Sequence, residues 1–107
     1  MGTSLQVQKI ACVNDAGFVM SFDLQFVDPG TGHWVTAANS GDYPIDQTRS
    51  LDGQSVNLPA GVSIRPEVHA VLGVTHDGDA VEYQPNGQTA TYEVKGTTLF
   101  YSVKLIG

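Results

Sequence analysis

Two aromatic residues, Trp34 and Tyr43, stand beside polar turn residues in an arrangement typical of carbohydrate-binding sites. Trp34, the single tryptophan, follows Gly32-His33, and Tyr43 ends the polar run Ser40-Gly41-Asp42. In sugar-binding sites an aromatic ring stacks on the apolar face of a sugar while nearby polar groups bond its hydroxyls. The pattern predicts a shallow ligand site formed by Trp34, Tyr43, His33, Asn39 and Asp42. Shallow sugar sites bind weakly, and the need for several copies favours a homo-oligomer. The alternative is that Trp34 is an ordinary core residue.

Apolar residues outside the predicted core support a second interpretation. Phe100 and Ile106 occupy positions that point away from the apolar face of the last strand. Further apolar residues that could extend this surface are Val19, Val27 and Val71. A patch of this kind indicates a dimer or partner interface. The chain would then be a structural or protein-interaction domain, such as a surface antigen or an adhesin subunit, with a protein partner instead of a glycan.

The sequence lacks the motifs of common enzymes and metal centres. It contains neither a nucleophile elbow nor a glycine-rich phosphate loop, and it has no spaced set of cysteines and histidines for zinc. The single cysteine, Cys12, lies in a strand-like segment and is predicted to be a buried, inert thiol. Asp77, Asp79 and Glu82 surround one turn, but Asp-Gly is a common hairpin turn that needs no calcium. We therefore predict a non-enzymatic protein with no catalytic residue, no metal and no cofactor.

The charge balance is acidic, with 5 Lys and Arg against 11 Asp and Glu and a net charge of -6. Nucleic-acid binding needs a basic surface, so that function is excluded. No apolar run is long enough for a membrane-spanning helix, and residues 1–4 lack the basic and apolar regions of a signal peptide. Acidic all-β chains with turns rich in Thr, Gly and Asn include many small lectins and secreted domains. This composition favours an extracellular or cell-surface location over a cytoplasmic one.

Alternating apolar residues predict the strands that position these groups. The segment 18–26 carries Phe, Met or Leu at every second position, and 62–74 is the longest alternating run. Strands recur between turns rich in Gly, Asp and Asn, and no segment has helical periodicity beyond one turn. The prediction is a single all-β domain over 1–107, an antiparallel β-sandwich of jelly-roll or Greek-key type with about seven to nine strands.

The turn residues predict four hairpins, one of them at Asp52-Gly53 between weaker strands at 45–51 and 55–58. A turn at Gly96-Thr97 would place Tyr92 opposite Tyr101 in the last hairpin. Asp77-Gly78 is predicted to turn a second hairpin, and 14–17 a third between the first two long strands. The predicted core consists of Phe18, Met20, Phe22, Leu24, Phe26, Val68, Leu72, Tyr92, Val94, Leu99, Tyr101 and Val103.

Overall fold

The computed structural model describes residues 5–71 and 73–107, which form ten β-strands in two packed sheets. The strands are β1 (Gln6–Val7), β2 (Lys9–Asn14), β3 (Met20–Val27), β4 (Trp34–Asn39), β5 (Thr48–Asp52), β6 (Ser63–Ala70), β7 (Thr75–Asp77), β8 (Val81–Tyr83), β9 (Thr89–Gly96) and β10 (Tyr101–Leu105). Sheet A has the order β1-β8-β6-β3-β4 with β7 also paired to β6, and sheet B has the order β10-β9-β2-β5. These residues contain no helix, so the all-β prediction is confirmed for them.

The core lies between the sheets and is lined by every second residue of the central strands. Sheet A contributes the fully buried side chains of Met20, Phe22, Leu24, Ile64 and Val68. Sheet B contributes those of Ile10, Cys12, Ala90, Tyr92 and Val94. The predicted core is therefore largely confirmed, and Phe18, Phe26 and Val103 pack against it while partly exposed. Leu99 is an error, since 59% of it is exposed. Residues 1–4 and the predicted core residue Leu72 lie outside the described residues.

The prediction of an antiparallel sandwich is confirmed in part, because most strand pairs are antiparallel and two are parallel. The chain leaves sheet A after β1 and enters sheet B at β2, with the N–H groups of Gln8 and Lys9 both donating to the Gln88 carbonyl oxygen. As a result β1 pairs parallel with β8, and β2 pairs parallel with β9. The predicted hairpin between β2 and β3 does not form, since these strands lie in different sheets. The inward face of β2 is Ile10, Cys12 and Asn14, whereas the alternation in the sequence favours the face that carries Ala11 and Val13.

The predicted hairpin at Asp77-Gly78 is also absent, because β7 and β8 pair with β6 and not with each other. Pro66 on β6 accounts for the gap between them. Strands β7 and β8 both pair with β6, one after the other along the same edge. The N–H of Gly78 donates to the Pro66 carbonyl oxygen over 2.8 Å, and an N–H at residue 66 would point to the same side. Proline has no such donor, so the ladder is interrupted at the point where β7 ends and β8 has not begun.

The last hairpin forms with a different register from the prediction. Val103 pairs with Val94 and Leu105 with Tyr92, so Tyr92 is not opposite Tyr101. Two hydrogen bonds between Thr97 and Phe100 close the turn, which places Thr98 and Leu99 at its tip. The shift is even in residue number, so the inward faces of both strands are preserved, while Leu99 and Phe100 move out of the strand.

Candidate functional site

Four loops meet at one end of the two sheets. They are the β2–β3 loop at 15–19, the β4–β5 loop at 40–47, the described residues 71 and 73–74 between β6 and β7, and the β9–β10 loop at 97–100. Backbone N–H groups of Gly17, Asp46, Val71 and Val74 donate, respectively, to carbonyl oxygens of Gly96, Asn14, Val19 and Thr98. These bonds connect each loop to another loop or to the end of a strand beside it, so the four loops form one continuous surface.

This surface carries most of the exposed large hydrophobic side chains of the described residues. Nine large hydrophobic side chains are exposed among the described residues, and six of them lie on these four loops. We call these six the apolar tip: Val19, Ile45, Val71, Val74, Leu99 and Phe100. Phe100 is 82% exposed, far more than the partial exposure common for apolar side chains on a protein surface. A clustered set of this kind indicates an interaction surface.

Buried polar contacts hold the base of the apolar tip. The Asn14 side chain is fully buried, and its Nδ2 donates to the carbonyl oxygens of Phe18 and Tyr43 over 2.9 and 3.2 Å. Its Oδ1 accepts from the Ala16 N–H over 3.0 Å. The Tyr43 hydroxyl crosses to sheet B and donates to the Cys12 carbonyl oxygen over 2.7 Å. Burial raises the pKa of Tyr43 well above its ordinary value, with the neighbouring Cys12 adding to the shift. These hydrogen bonds therefore anchor the β2–β3 and β4–β5 loops to the end of β2.

The structure does not bring the predicted ligand residues together. Trp34 pairs with Val27 at one end of β3, and Tyr43 bridges to Met20 at the other end, about 23 Å away at the usual rise of a strand. Tyr43 is only 1% exposed, so its ring cannot stack on a ligand. Trp34 is half-buried beneath the Arg65 guanidinium, which lies 4.0 Å from the ring centroid.

The three polar members of the predicted site are also dispersed. Asn39 lies at the end of β4, and its Nδ2 donates to Asp23 Oδ1 over 2.6 Å. His33 is exposed just before β4, and its backbone N–H donates to the Thr31 hydroxyl over 3.2 Å. Asp42 is exposed in the β4–β5 loop beside the buried Tyr43. Only Asp42 and Tyr43 therefore share a loop, and that loop belongs to the apolar tip.

A group of polar residues that the sequence analysis missed occupies the outer face of sheet A. Asp23 on β3 is the cross-strand partner of Glu67 on β6, and His69 follows on the same face. His69 Nε2 lies 2.9 Å from Asp23 Oδ2 and 3.5 Å from Glu67 Oε1. Asp23 and His69 are 46 positions apart, so no local motif could reveal the group. The alternation of β6 was the available signal, because it places Glu67 and His69 on the polar face.

The acidic residues around the Asp77-Gly78 turn do not gather into one site. Asp77 Oδ2 lies 3.3 Å from Arg65 Nη2 in an ion pair. Glu82 lies on β8, where its Oε2 accepts from Gln84 Nε2 over 2.7 Å. Asp79, between β7 and β8, is exposed. Each carboxylate therefore has a separate environment.

The fold is that of known toxin structures. The membrane-binding domain of pneumolysin aligns with a TM-score of 0.50 at 16% identity, over 94% of this chain and 96% of that domain. A structure of pneumolysin aligns with a TM-score of 0.52 at 15% identity over 92% of this chain, and one described as a trapped toxin with 0.51 at 17% identity over 92%. The chain spans 23% of the length of each of those two proteins. No protein-family model and no curated protein sequence matches the chain.

The comparison corrects the functional prediction. A carbohydrate-binding module was expected from Trp34 and Tyr43, but the fold is shared with a domain described as membrane-binding. The exposed aromatic residue at the loop end of the molecule is Phe100, whereas Tyr43 is buried. Within 5–71 and 73–107 there is no helix long and apolar enough to cross a membrane.

Proposed function

We propose that this chain is a non-enzymatic domain that binds the surface of a lipid membrane through the apolar tip. The observation that carries the proposal is the position of six exposed apolar side chains on four bonded loops at one end of the fold. The likeness of this chain's fold to the membrane-binding domain of pneumolysin supports the same assignment. Shallow insertion of loop side chains into a bilayer leaves the strands outside the hydrocarbon, so the backbone polar groups of both sheets stay paired.

The charge distribution favours a zwitterionic membrane. Loops 71–74 and 97–100 contain no charged residue, whereas Asp15, Asp42 and Asp46 lie on the other two loops. With a net charge of -6, the chain would be repelled by anionic lipid headgroups. The uncharged half of the apolar tip, led by Leu99 and Phe100, is therefore the part that enters the bilayer.

Surface binding of this kind requires no substrate cavity. The described residues enclose no such cavity. The toxin-like fold is in keeping with the extracellular location expected from the composition.

A tryptophan placed at the apolar tip tests the proposal. Trp34 lies away from the tip, so Trp34→Phe removes its emission without altering the loops. In that background, Phe100→Trp should shift its emission to shorter wavelength when phosphatidylcholine vesicles are added, because the indole leaves water. The matched control is Ile106→Trp, at a residue that is 53% exposed beyond the far end of β10. Its emission should not shift.

Vesicle co-sedimentation gives the energetic test. Removing a phenylalanine side chain that is buried in lipid costs about 1.5–3 kcal/mol, so Phe100→Ser should weaken vesicle partitioning about 10- to 150-fold. Ile106→Ser should partition like the wild type. Equal loss in both variants, or no sedimentation of the wild type with vesicles, would overturn the proposal.

A further inference from the structure

The outer face of sheet A brings together three side chains that are suitable metal ligands. Asp23, Glu67 and His69 are the one group of three or more His, Cys, Asp or Glu in the described residues whose ligand atoms all lie within 4.8 Å of one another. They come from β3 and β6, two adjacent strands in the interior of the sheet. All three side chains are partly buried, so neighbouring residues restrict their movement.

Neighbouring residues orient these ligand atoms. His69 Nδ1 lies 3.0 Å from the Thr75 hydroxyl, and Asp23 Oδ1 accepts from Asn39 Nδ2 over 2.6 Å. Without a metal, His69 Nε2–H donates to Asp23 Oδ2 over 2.9 Å. In the other tautomer, Nδ1–H donates to the Thr75 hydroxyl, and the Nε2 lone pair is then available to an ion held between it and the two carboxylates. Second partners of this kind fix the ring and carboxylate of metal ligands in proteins.

The charge at this point is unbalanced. The two carboxylates face one imidazole nitrogen, and Asp77 stands beside Glu67. Arg65 is the cation paired with Asp77, at 3.3 Å. The ligand atoms of Asp23 and Glu67 therefore converge at a position where a cation would be stabilised.

We propose that Asp23, Glu67 and His69 bind a divalent transition-metal ion such as zinc. In tetrahedral geometry, ligand atoms about 2.0–2.2 Å from a zinc ion lie about 3.3–3.6 Å apart. The 3.5 Å between His69 Nε2 and Glu67 Oε1 matches this separation, and the 2.9 Å between His69 Nε2 and Asp23 Oδ2 would have to open by about 0.4 Å. An imidazole with two carboxylates suits zinc and its neighbours in the first transition series better than calcium or magnesium, which prefer oxygen ligands. This site departs from the sequence-based prediction of no metal, and it does not depend on membrane binding.

Thermal unfolding after chelator dialysis tests the site. Saturating zinc chloride should raise the Tm of the wild type by at least about 4 °C, because an ion that binds the native state stabilises it by mass action. His69→Gln and Asp23→Asn should lose this rise. His33→Gln, a change at an exposed histidine outside the group, should keep it, and calcium chloride should give no rise in the wild type.

Two further measurements separate this site from adventitious binding. Cobalt added to the wild type should give visible absorption bands that zinc abolishes and that are missing in His69→Gln. In nitrogen-15 spectra of the wild-type histidines, zinc should shift the Nε2 resonance of His69 and leave those of His33 and His76 in place. A zinc-induced Tm rise that persists in His69→Gln, a shift of all three histidines, or no effect of zinc would each overturn the proposal.

Discussion

The hydroxyl group of Tyr101, on β10 in sheet B, lies 2.6 Å from the carbonyl oxygen of Val74, on the β6–β7 loop of sheet A. It also lies 3.0 Å from the Val68 carbonyl oxygen within β6. Tyr101 begins its strand immediately after Phe100. This partly buried contact therefore joins the start of β10, directly after Phe100, to the β6–β7 loop.

Loss of this contact should be measurable as stability. Tyr101→Phe keeps the ring but leaves the Val74 carbonyl oxygen without its tyrosine donor, so the free energy of unfolding should fall by about 1–3 kcal/mol. Urea denaturation followed by circular dichroism measures the change. The control is Tyr83→Phe, because the Tyr83 hydroxyl has no protein hydrogen-bond partner in the described part of the chain and its removal should be nearly neutral. Similar losses in the two variants would contradict a specific role for the Tyr101–Val74 contact.

Alkaline pH should unfold the protein steeply. Burial raises the pKa of all four tyrosines, most strongly those of Tyr43 and Tyr92. Because the folded pKa is above the unfolded pKa of about 10, the native state favours the neutral phenol; stability is complete below pH ~10 and falls as the pH rises further. Tyrosinate absorbance at 295 nm should therefore appear together with loss of circular dichroism. Tyrosinate formed below the unfolding transition would argue against buried phenols.

The centre of the β3 ladder should dominate the stability of sheet A. Phe22 is fully buried opposite Val68, so Phe22→Ala should cost about 3–5 kcal/mol through lost burial and a residual cavity. Chemical denaturation with a matched Val35→Ala control, at an exposed β4 position, provides the test. The control should change stability by less than about 0.5 kcal/mol. A loss under ~1 kcal/mol for Phe22→Ala would mean that the ladder is not the core of the fold.

The β10 hairpin illustrates what the sequence can determine and what it cannot. Alternation in 89–105 predicts which residues face inward, and Tyr92, Val94 and Tyr101 are buried as expected. An even shift of register changes the partners but still sets apolar residues opposite each other, such as Val103 with Val94 and Leu105 with Tyr92, so the pattern cannot distinguish the observed turn from the predicted one. In the structure, the two hydrogen bonds between Thr97 and Phe100 fix the position of the turn and with it the register of the hairpin. The same ambiguity concealed the apolar tip, because the predicted register assigned Leu99 to the core.

The strand order and the polar group on sheet A depend on long-range pairing. Strand β2 has small or apolar residues on both faces, so its phase and its sheet are not determined by local pattern. Its parallel pairing with β9 joins segments about 80 residues apart, for which no turn residue gives a signal. The convergence of Asp23 with His69 follows from the register of β3 against β6 and becomes visible only when that register is known. Trp34 and Tyr43, by contrast, are close in sequence and separated by the length of β3.

The interruption between β7 and β8 provides the last prediction. Gly78 fills the gap opposite Pro66, where an added Cβ would lie 2.7 Å from Pro66 Cγ and 2.9 Å from the Tyr92 ring. Neither neighbour can move easily, since Pro66 lies on a central strand and the Tyr92 hydroxyl donates to the Asp79 carbonyl oxygen over 2.5 Å. The Gly78 backbone is not left-handed, so the effect of a substitution would be steric.

Gly78→Ala should therefore lower the free energy of unfolding by about 1–3 kcal/mol, as expected when an atom is forced into a packed core. The matched control is Gly17→Ala, where an added Cβ would meet no atom closer than the Gly96 carbonyl oxygen at 3.9 Å, again without a left-handed backbone. That variant should stay within about 0.5 kcal/mol of the wild type. Thermal melts of both variants would show the difference, since ~1 kcal/mol shifts the Tm of a domain this size by about 4–8 °C. A Gly78→Ala protein as stable as Gly17→Ala would mean that the gap between β7 and β8 is loosely packed. The missing N–H of Pro66 would then be sufficient to explain why β7 and β8 are separate strands.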